Sequence, residues 1–397
     1  MFKRFLANVP HYFSKHPSRG LVELYWSVGM MDLAVAAVVL FEPIFLYVLG
    51  YSLSYIMFFY MMVYFLYVLF LPLAGRIIGK IGYEHSIFYS QFFLIAYYIS
   101  LFAISKFSFF FFIAPLFFAV QKSLYWPAYH ADFATFCQDK QTGREVSGKE
   151  IISIIMYIIG PIAGGFILEK TSFGILFLMV SFLFLLSVIP LFRIKEIHNT
   201  SSFNYREVFK KMVDKDHRRN FLAYLGFGEE LIVLTLWPIF IYIAIKDYLE
   251  IGSLIALATL ATAILALYLG KMSDTYKKVR VLNLGSILYS VSWLIRGFMK
   301  NAWQIFSIDT LSRFSKEMLF VPLISQTYEN AKKMGPLEYA VFFEQSLAIG
   351  KFFTALLLFL ILQIFAASWI IIFIIAGLLT LLYTFLRPSL EHNIFRK

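Results

Sequence analysis

A chain of 397 residues that is 60% hydrophobic and 15% charged lies outside the soluble range, where roughly 45–50% and 25% are usual. That apolar excess has to face lipid, so an integral membrane protein is the expected class. The net charge of +11 then reads as a topology signal and an affinity for anionic lipid, with no nucleic-acid partner expected.

The first 22 residues form an N-terminal segment. Phe2, Phe5, Leu6, Val9, Tyr12 and Phe13 fall on one helical face, which predicts either a short helix on the inner leaflet or a loose tail. No cleavable signal is read there, because the run lacks an apolar core. Twelve apolar runs follow, each near the roughly 20 residues a helix needs to cross a bilayer. The first six are placed at 23–49, 53–73, 86–104, 107–128, 150–168 and 173–192. The second six lie at 218–244, 248–268, 281–299, 302–323, 345–363 and 368–387. A basic linker occupies 193–217 and a short tail 388–397. With no water to satisfy backbone groups in lipid, these runs should be helical. The expected fold is therefore all-α, with 12 transmembrane helices in two pseudo-symmetric six-helix bundles, 23–192 and 218–387.

An internal repeat at an offset of 195 residues supports the two bundles. Pro43-Ile44-Phe45-Leu46-Tyr47 reappears as Pro238-Ile239-Phe240-Ile241-Tyr242, Gly75 as Gly270, and Pro127 as Pro322. Such a repeat in a very apolar chain marks a secondary transporter. Most of the 35 Lys and Arg residues fall in the two termini and the even-numbered connections, which predicts cytoplasmic termini in a cell membrane. The lone Cys137 permits no intramolecular disulfide.

After the eighth run the chain reads Gly270-Lys271-Met272-Ser273-Asp274-Thr275-Tyr276-Lys277-Lys278-Val279-Arg280. This resembles the G-x-L-a-D-R-x-G-R-[RK] signature of the major facilitator superfamily. Gly75-Arg76-Ile77-Ile78-Gly79-Lys80-Ile81-Gly82 stands in the same frame of the first half. Gly160-Pro161-Ile162-Ala163-Gly164-Gly165 is similar to the glycine-proline motif of exporters in that superfamily and leans slightly toward export. The resemblance implies alternating access, lining of the cavity by helices 1, 7, 10 and 11, and a cytoplasmic latch. The latch residues would be Gly75, Lys80, Gly82, Gly270, Asp274, Lys277, Lys278 and Arg280. Gly79 replaces the first-half aspartate, so the latch would lean on Asp274 facing the start of the fifth helix near Ser147-Gly148-Lys149-Glu150. Helix bends are expected at Pro43, Gly160, Pro161, Gly164, Gly165 and Pro238.

Polar groups present in one half only are candidates for function. Asp32 is matched by Phe227, Glu42 by Trp237, Glu229 and Glu230 by Ala34 and Val35, Arg313 by Phe118, and Lys351 by Met156. Lys122 is matched by Glu317, a charge in both halves. Asp32, Glu229, Glu230, Arg313 and Lys351 fall near the bilayer middle, where a charge facing lipid costs roughly 2.5–3.5 kcal/mol, so one shared inter-half cavity is expected. The adjacent carboxylates Glu229 and Glu230 should repel each other and favour proton coupling. Arg313 and Lys351 would take anionic or zwitterionic groups. An Asp309, Arg313, Glu317 ladder at i, i+4, i+8 accounts for Arg313 about as well. Arg296 is expected to snorkel at its helix end, and His130 and Asp132 to be loop structure. The function expected is secondary active transport of a small molecule, with protons as a further partner, by a monomer in the lipid bilayer. A lipid scramblase or flippase of the same fold is the alternative. No enzyme activity, cofactor or metal is expected.

Overall fold

The computed structural model describes residues 19–136, 142–190, 203–215, 217–275, 278–365 and 368–386; the side chains of 19–24, 135–136, 142–150, 266–275 and 278 lie outside that description. Among the described residues the first half comprises α1 (Arg19–Val38), α2 (Phe41–Val48), α3 (Leu53–Ile81), α4 (Tyr83–Ala103), α5 (Phe110–Phe136), α6 (Thr142–Lys170) and α7 (Phe173–Val188). The linker carries α8 (Tyr205–Val213). The second half comprises α9 (Arg218–Leu225), α10 (Gly228–Leu234), α11 (Leu236–Ile245), α12 (Tyr248–Thr275), α13 (Lys278–Arg296), α14 (Ala302–Met334), α15 (Pro336–Ile364) and α16 (Trp369–Leu381).

The offset read from the sequence carries into the helix limits. Moving Leu53–Ile81 by 195 residues gives 248–276, beside the observed Tyr248–Thr275. Moving Thr142–Lys170 gives 337–365, beside Pro336–Ile364. Several helices overrun their apolar runs, α14 most of all, because a helix continues past the hydrocarbon wherever its polar end reaches water.

Each proline of the repeated Pro-Ile-Phe motif stands just past an interruption. Pro43 has no N–H for the Val39 carbonyl, and the first helix turns at residues 39–40. Pro238 likewise denies the Leu234 carbonyl, and Thr235 leaves helical geometry at φ −123°, ψ −65°. The outward faces are apolar: Leu178 and Phe182 are each 60% exposed and Leu378 is 61% exposed, as a lipid-facing surface requires.

The halves meet most extensively at two helix pairs, α6 with α12 and α3 with α15, with further contacts of α5 with α14 and α15 and of α2 with α11. The first crossing rests on glycines. A Cβ on Gly165 would sit 2.4 Å from the Tyr248 carbonyl oxygen, and one on Gly252 would sit 2.1 Å from that of Pro161. Gly164 and Gly160 play the same part against Ala37 and Ala36 of α1. Small residues permit this backbone approach where lipid supplies no hydrophobic drive. Along the second crossing, Ser54 donates to the Phe359 carbonyl at 3.1 Å and Gln345 to that of Val68 at 3.2 Å.

Of the residues of the signature loops, Gly75 lies against the Phe203 ring of the linker, Gly82 closes α3 at φ 89°, and Lys80 and Arg280 are exposed. Gly270, Asp274, Lys277, Lys278 and the Ser147–Glu150 turn lie outside the residues described in side-chain detail.

Candidate central site

Where α1, α6, α10 to α12, α13 and α14 converge, a cavity of about 390 Å³ opens between the halves. Its wall includes Leu40 and Pro161 of the first half and Leu234, Trp237 and Pro238 of the second, so it sits at both helix interruptions. The charged part of the wall comes from Arg296, Asp309, Arg313, Lys316 and Glu317, and Tyr157, Thr259, Thr262, Tyr289 and Ser312 add hydroxyls.

Asp309 organises one end. Its Oδ2 accepts from Arg313 Nε at 2.6 Å, and its Oδ1 accepts from Trp237 Nε1 at 2.9 Å and lies 3.5 Å from Arg296 Nη2. The Arg296 guanidinium lies between two indoles, 3.8 Å from the Trp293 ring centre and 4.2 Å from that of Trp237. Arg296 therefore does not snorkel, as its place at the end of α13 suggested: it is 2% exposed and turned inward. The stacked rings and the Asp309 charge together outweigh the pull of the headgroups. Arg313 makes the Asp309 half of the expected ladder.

The next turns of α14 link this end to a second cluster. Lys316 Nζ lies 3.4 Å from Glu229 Oε1 and 3.5 Å from Glu230 Oε1. Glu229 is fully buried and also accepts from Tyr289 at 2.9 Å and Tyr383 at 3.1 Å. Glu230 accepts from Lys351 at 2.7 Å. The mutual repulsion expected of the two carboxylates is thus offset by two lysines, and Lys351 is committed to Glu230 rather than held open for solute. Lys316, on the face that the ladder uses, is the residue that ties both glutamates to the cavity.

Three candidates stand apart from these clusters. Asp32 accepts from Ser153 at 2.5 Å, a contact of α1 with α6. Glu42 takes Tyr60 at 2.7 Å and Tyr98 at 3.4 Å inside the first half. Lys122 rests on the Phe118 ring at 4.3 Å and 5.8 Å from the Tyr64 ring, whose other neighbour is Lys351 at 5.5 Å. Arg296 and Asp309 were not among the site candidates. The repeat held the signal for both, since they stand against Leu101 and Ala114 in the first half.

His130 belongs to a further inter-half contact rather than to a loop. Its Nε2 is 3.0 Å from Glu344 Oε1 and its Nδ1 is 2.9 Å from the Tyr328 hydroxyl, while Tyr67 donates to Glu344 Oε2 at 2.6 Å.

The fold and the cavity between its repeated halves define a secondary transporter of the multi-pass membrane type. The sequence description of the Major Facilitator Superfamily matches residues 24–245, more than half of the chain, and the protein belongs to that superfamily. Among solved structures, that of the nucleoside transporter NupG is similar with a TM-score of 0.68 and 13% identity, over 95% of this chain and 100% of that one. No curated protein matches by sequence.

Proposed function

We propose that the protein moves a small solute across the membrane by alternating access, the two halves rocking about the cavity bordered by Trp237, Arg296, Asp309, Arg313 and Lys316. The observation that carries this reading is the position of the cavity. It lies between the repeats, at the Pro43 and Pro238 interruptions, and is bordered by Arg296, whose buried Nε and Nη1 reach no acceptor among the described residues. At about 390 Å³ it suits a small molecule. The positive-inside count supports cytoplasmic termini, with residues 23–192 and 218–387 as the two moving bodies. Glu229, buried and sharing Lys316 with Glu230, is the group best placed to couple transport to protons. Asp274 remains the candidate latch through the family signature.

The lone Cys137 makes a direct test simple. In a Cys137→Ser background, Thr259→Cys places one thiol on the cavity wall. Membrane-impermeant thiol reagents should reach it from either side of sealed vesicles. Labelling from one side only would rule out alternating access at this cavity.

A further inference from the structure

Buried donors in folded proteins are nearly always bonded, and an arginine left short of acceptors calls for a specific cause. Arg296 is such a case. It is 2% exposed, yet its Nε and Nη1 reach no acceptor among the described residues. Trp237 and Trp293 cover its two faces, and its one carboxylate neighbour, Asp309, meets only Nη2, at 3.5 Å. One helical turn from Asp309, Arg313 spends Nε on the same carboxylate at 2.6 Å, and its side chain keeps 37% exposure on the cavity wall. Asp309 thus fixes two guanidinium groups from two helices without saturating either, and both border one cavity.

We propose that Arg296 and Arg313 form the pole of the cavity that recognises an organic anion, a solute whose planar or tetrahedral head is a carboxylate or a phosphate. The chemistry favours this class over a cation or a neutral polyol. A guanidinium has five N–H donors and no acceptor, in a fork that matches carboxylate and phosphate oxygens. The Asp309 carboxylate is already shared by Arg313, Arg296 and the Trp237 indole, so no free acceptor remains there for an ammonium head. The rest of the wall is largely apolar, with Val39, Val233, Leu234, Ile255 and Ala263 facing the same space. An anionic head at the arginines and an apolar body against these residues fill the two chemistries together. Glu317 lies on the same wall, further along α14 than Arg313.

This inference rests on the cavity being the solute site, and the test separates the two. The purified full-length protein is titrated with four solutes that share a phenyl body: benzoate, phenyl phosphate, benzyl alcohol and benzylamine. Tryptophan emission and the apparent melting temperature are followed, Trp237 and Trp293 being in contact with Arg296. Benzoate or phenyl phosphate should quench emission and raise the melting temperature, while the neutral and cationic solutes should do neither. Arg313→Gln, at the more exposed arginine, should weaken the anion roughly tenfold to a hundredfold, the usual worth of a charge-assisted bond. Arg296→Lys, which keeps the charge but loses the fork, should weaken it in the same direction. Ala263→Phe, which fills the cavity, should abolish the response. Responses to benzyl alcohol or benzylamine that Ala263→Phe blocks, with none to the anions, would overturn the anion assignment and leave the cavity as the solute site. Absence of any response that depends on Ala263 would overturn both.

Discussion

At the scale of single residues, two carboxylates of the second half each serve two cations, Asp309 with Arg296 and Arg313 and Glu230 with Lys316 and Lys351. Glu230 holds Lys351 at 2.7 Å and Lys316 at 3.5 Å, whereas Lys351 has no other carboxylate within ion-pair reach among the described residues. The two partners are therefore unequal. Lys351→Met leaves Glu230 with Lys316, but Glu230→Gln leaves a lysine that is 6% exposed beside the Tyr64 ring with no ion-pair partner among the described residues. Glu230→Gln should cost about 3 kcal/mol, the lower end for breaking a buried pair, and Lys351→Met clearly less. The double variant should recover part of that cost, a coupling of roughly 1–3 kcal/mol. Apparent unfolding midpoints of the four proteins in one detergent would check both statements, and additive losses would show that the pair is not an interacting unit. The sequence reading picked out Glu230 and Lys351 by asking which charges lack a counterpart in the repeat. Their pairing was hidden, because it links residues 121 apart and depends on how each helix is rotated. Arg296 was misread for the same reason: distance from a helix end is visible in a sequence, but the indole of Trp237 waiting at a helix interruption is not.

At the scale of the helices, the limits were far more legible than the contacts. Lipid forces every spanning segment to be long, apolar and helical, so hydropathy and the 195-residue offset place each spanning core, although the helices run on past it, α14 as far as Met334 against an expected 323. What positions the cavity is closeness of approach, and the glycines set that. Gly164 meets the Ala37 carbonyl oxygen, where an added Cβ would stand at 2.0 Å, with the Phe41 ring at 2.9 Å. Neither neighbour can yield, since one is backbone and the other is fully buried. Gly164→Ala should therefore push α6 off α1 and cost about 1–3 kcal/mol. Gly297→Ala, whose nearest neighbour would be a Phe373 ring atom at 3.5 Å, should be nearly neutral. Comparing the two melting temperatures isolates steric closeness from the general effect of replacing a glycine. Equal effects would mean that α1 and α6 are not held at their contact distance by Gly164.

At the scale of the whole molecule, the two halves are tied at both ends of the inter-half space. On the side away from the linker, the Tyr47 and Tyr242 rings meet with centroids 6.3 Å apart, Phe41 and Phe173 pack against Tyr248, and Gln363 donates to Ser54 at 2.8 Å. Toward the linker, Tyr67 and His130 of the first half hold Glu344 of the second, and Tyr328 closes the group. Rocking cannot keep both sets, so the weaker one yields first. The linker-side set has a single carboxylate as its hub: Glu344 is 3% exposed and takes the short Tyr67 bond and the His130 contact together. Glu344→Gln keeps the shape and removes the charge, which should weaken these links by about 1.5 kcal/mol and shift the ratio of states roughly tenfold toward an open linker side. Tyr67→Phe removes one of the two contacts and should move the ratio in the same direction by less. Spin labels at the exposed Lys80 and Lys333 positions, in a Cys137→Ser background, report the separation of α3 from the end of α14. A new population at longer distance in Glu344→Gln, smaller in Tyr67→Phe, is the expected result. Identical distance distributions in all three proteins would show that the Glu344 contacts ride along with the motion of the halves and do not hold them shut.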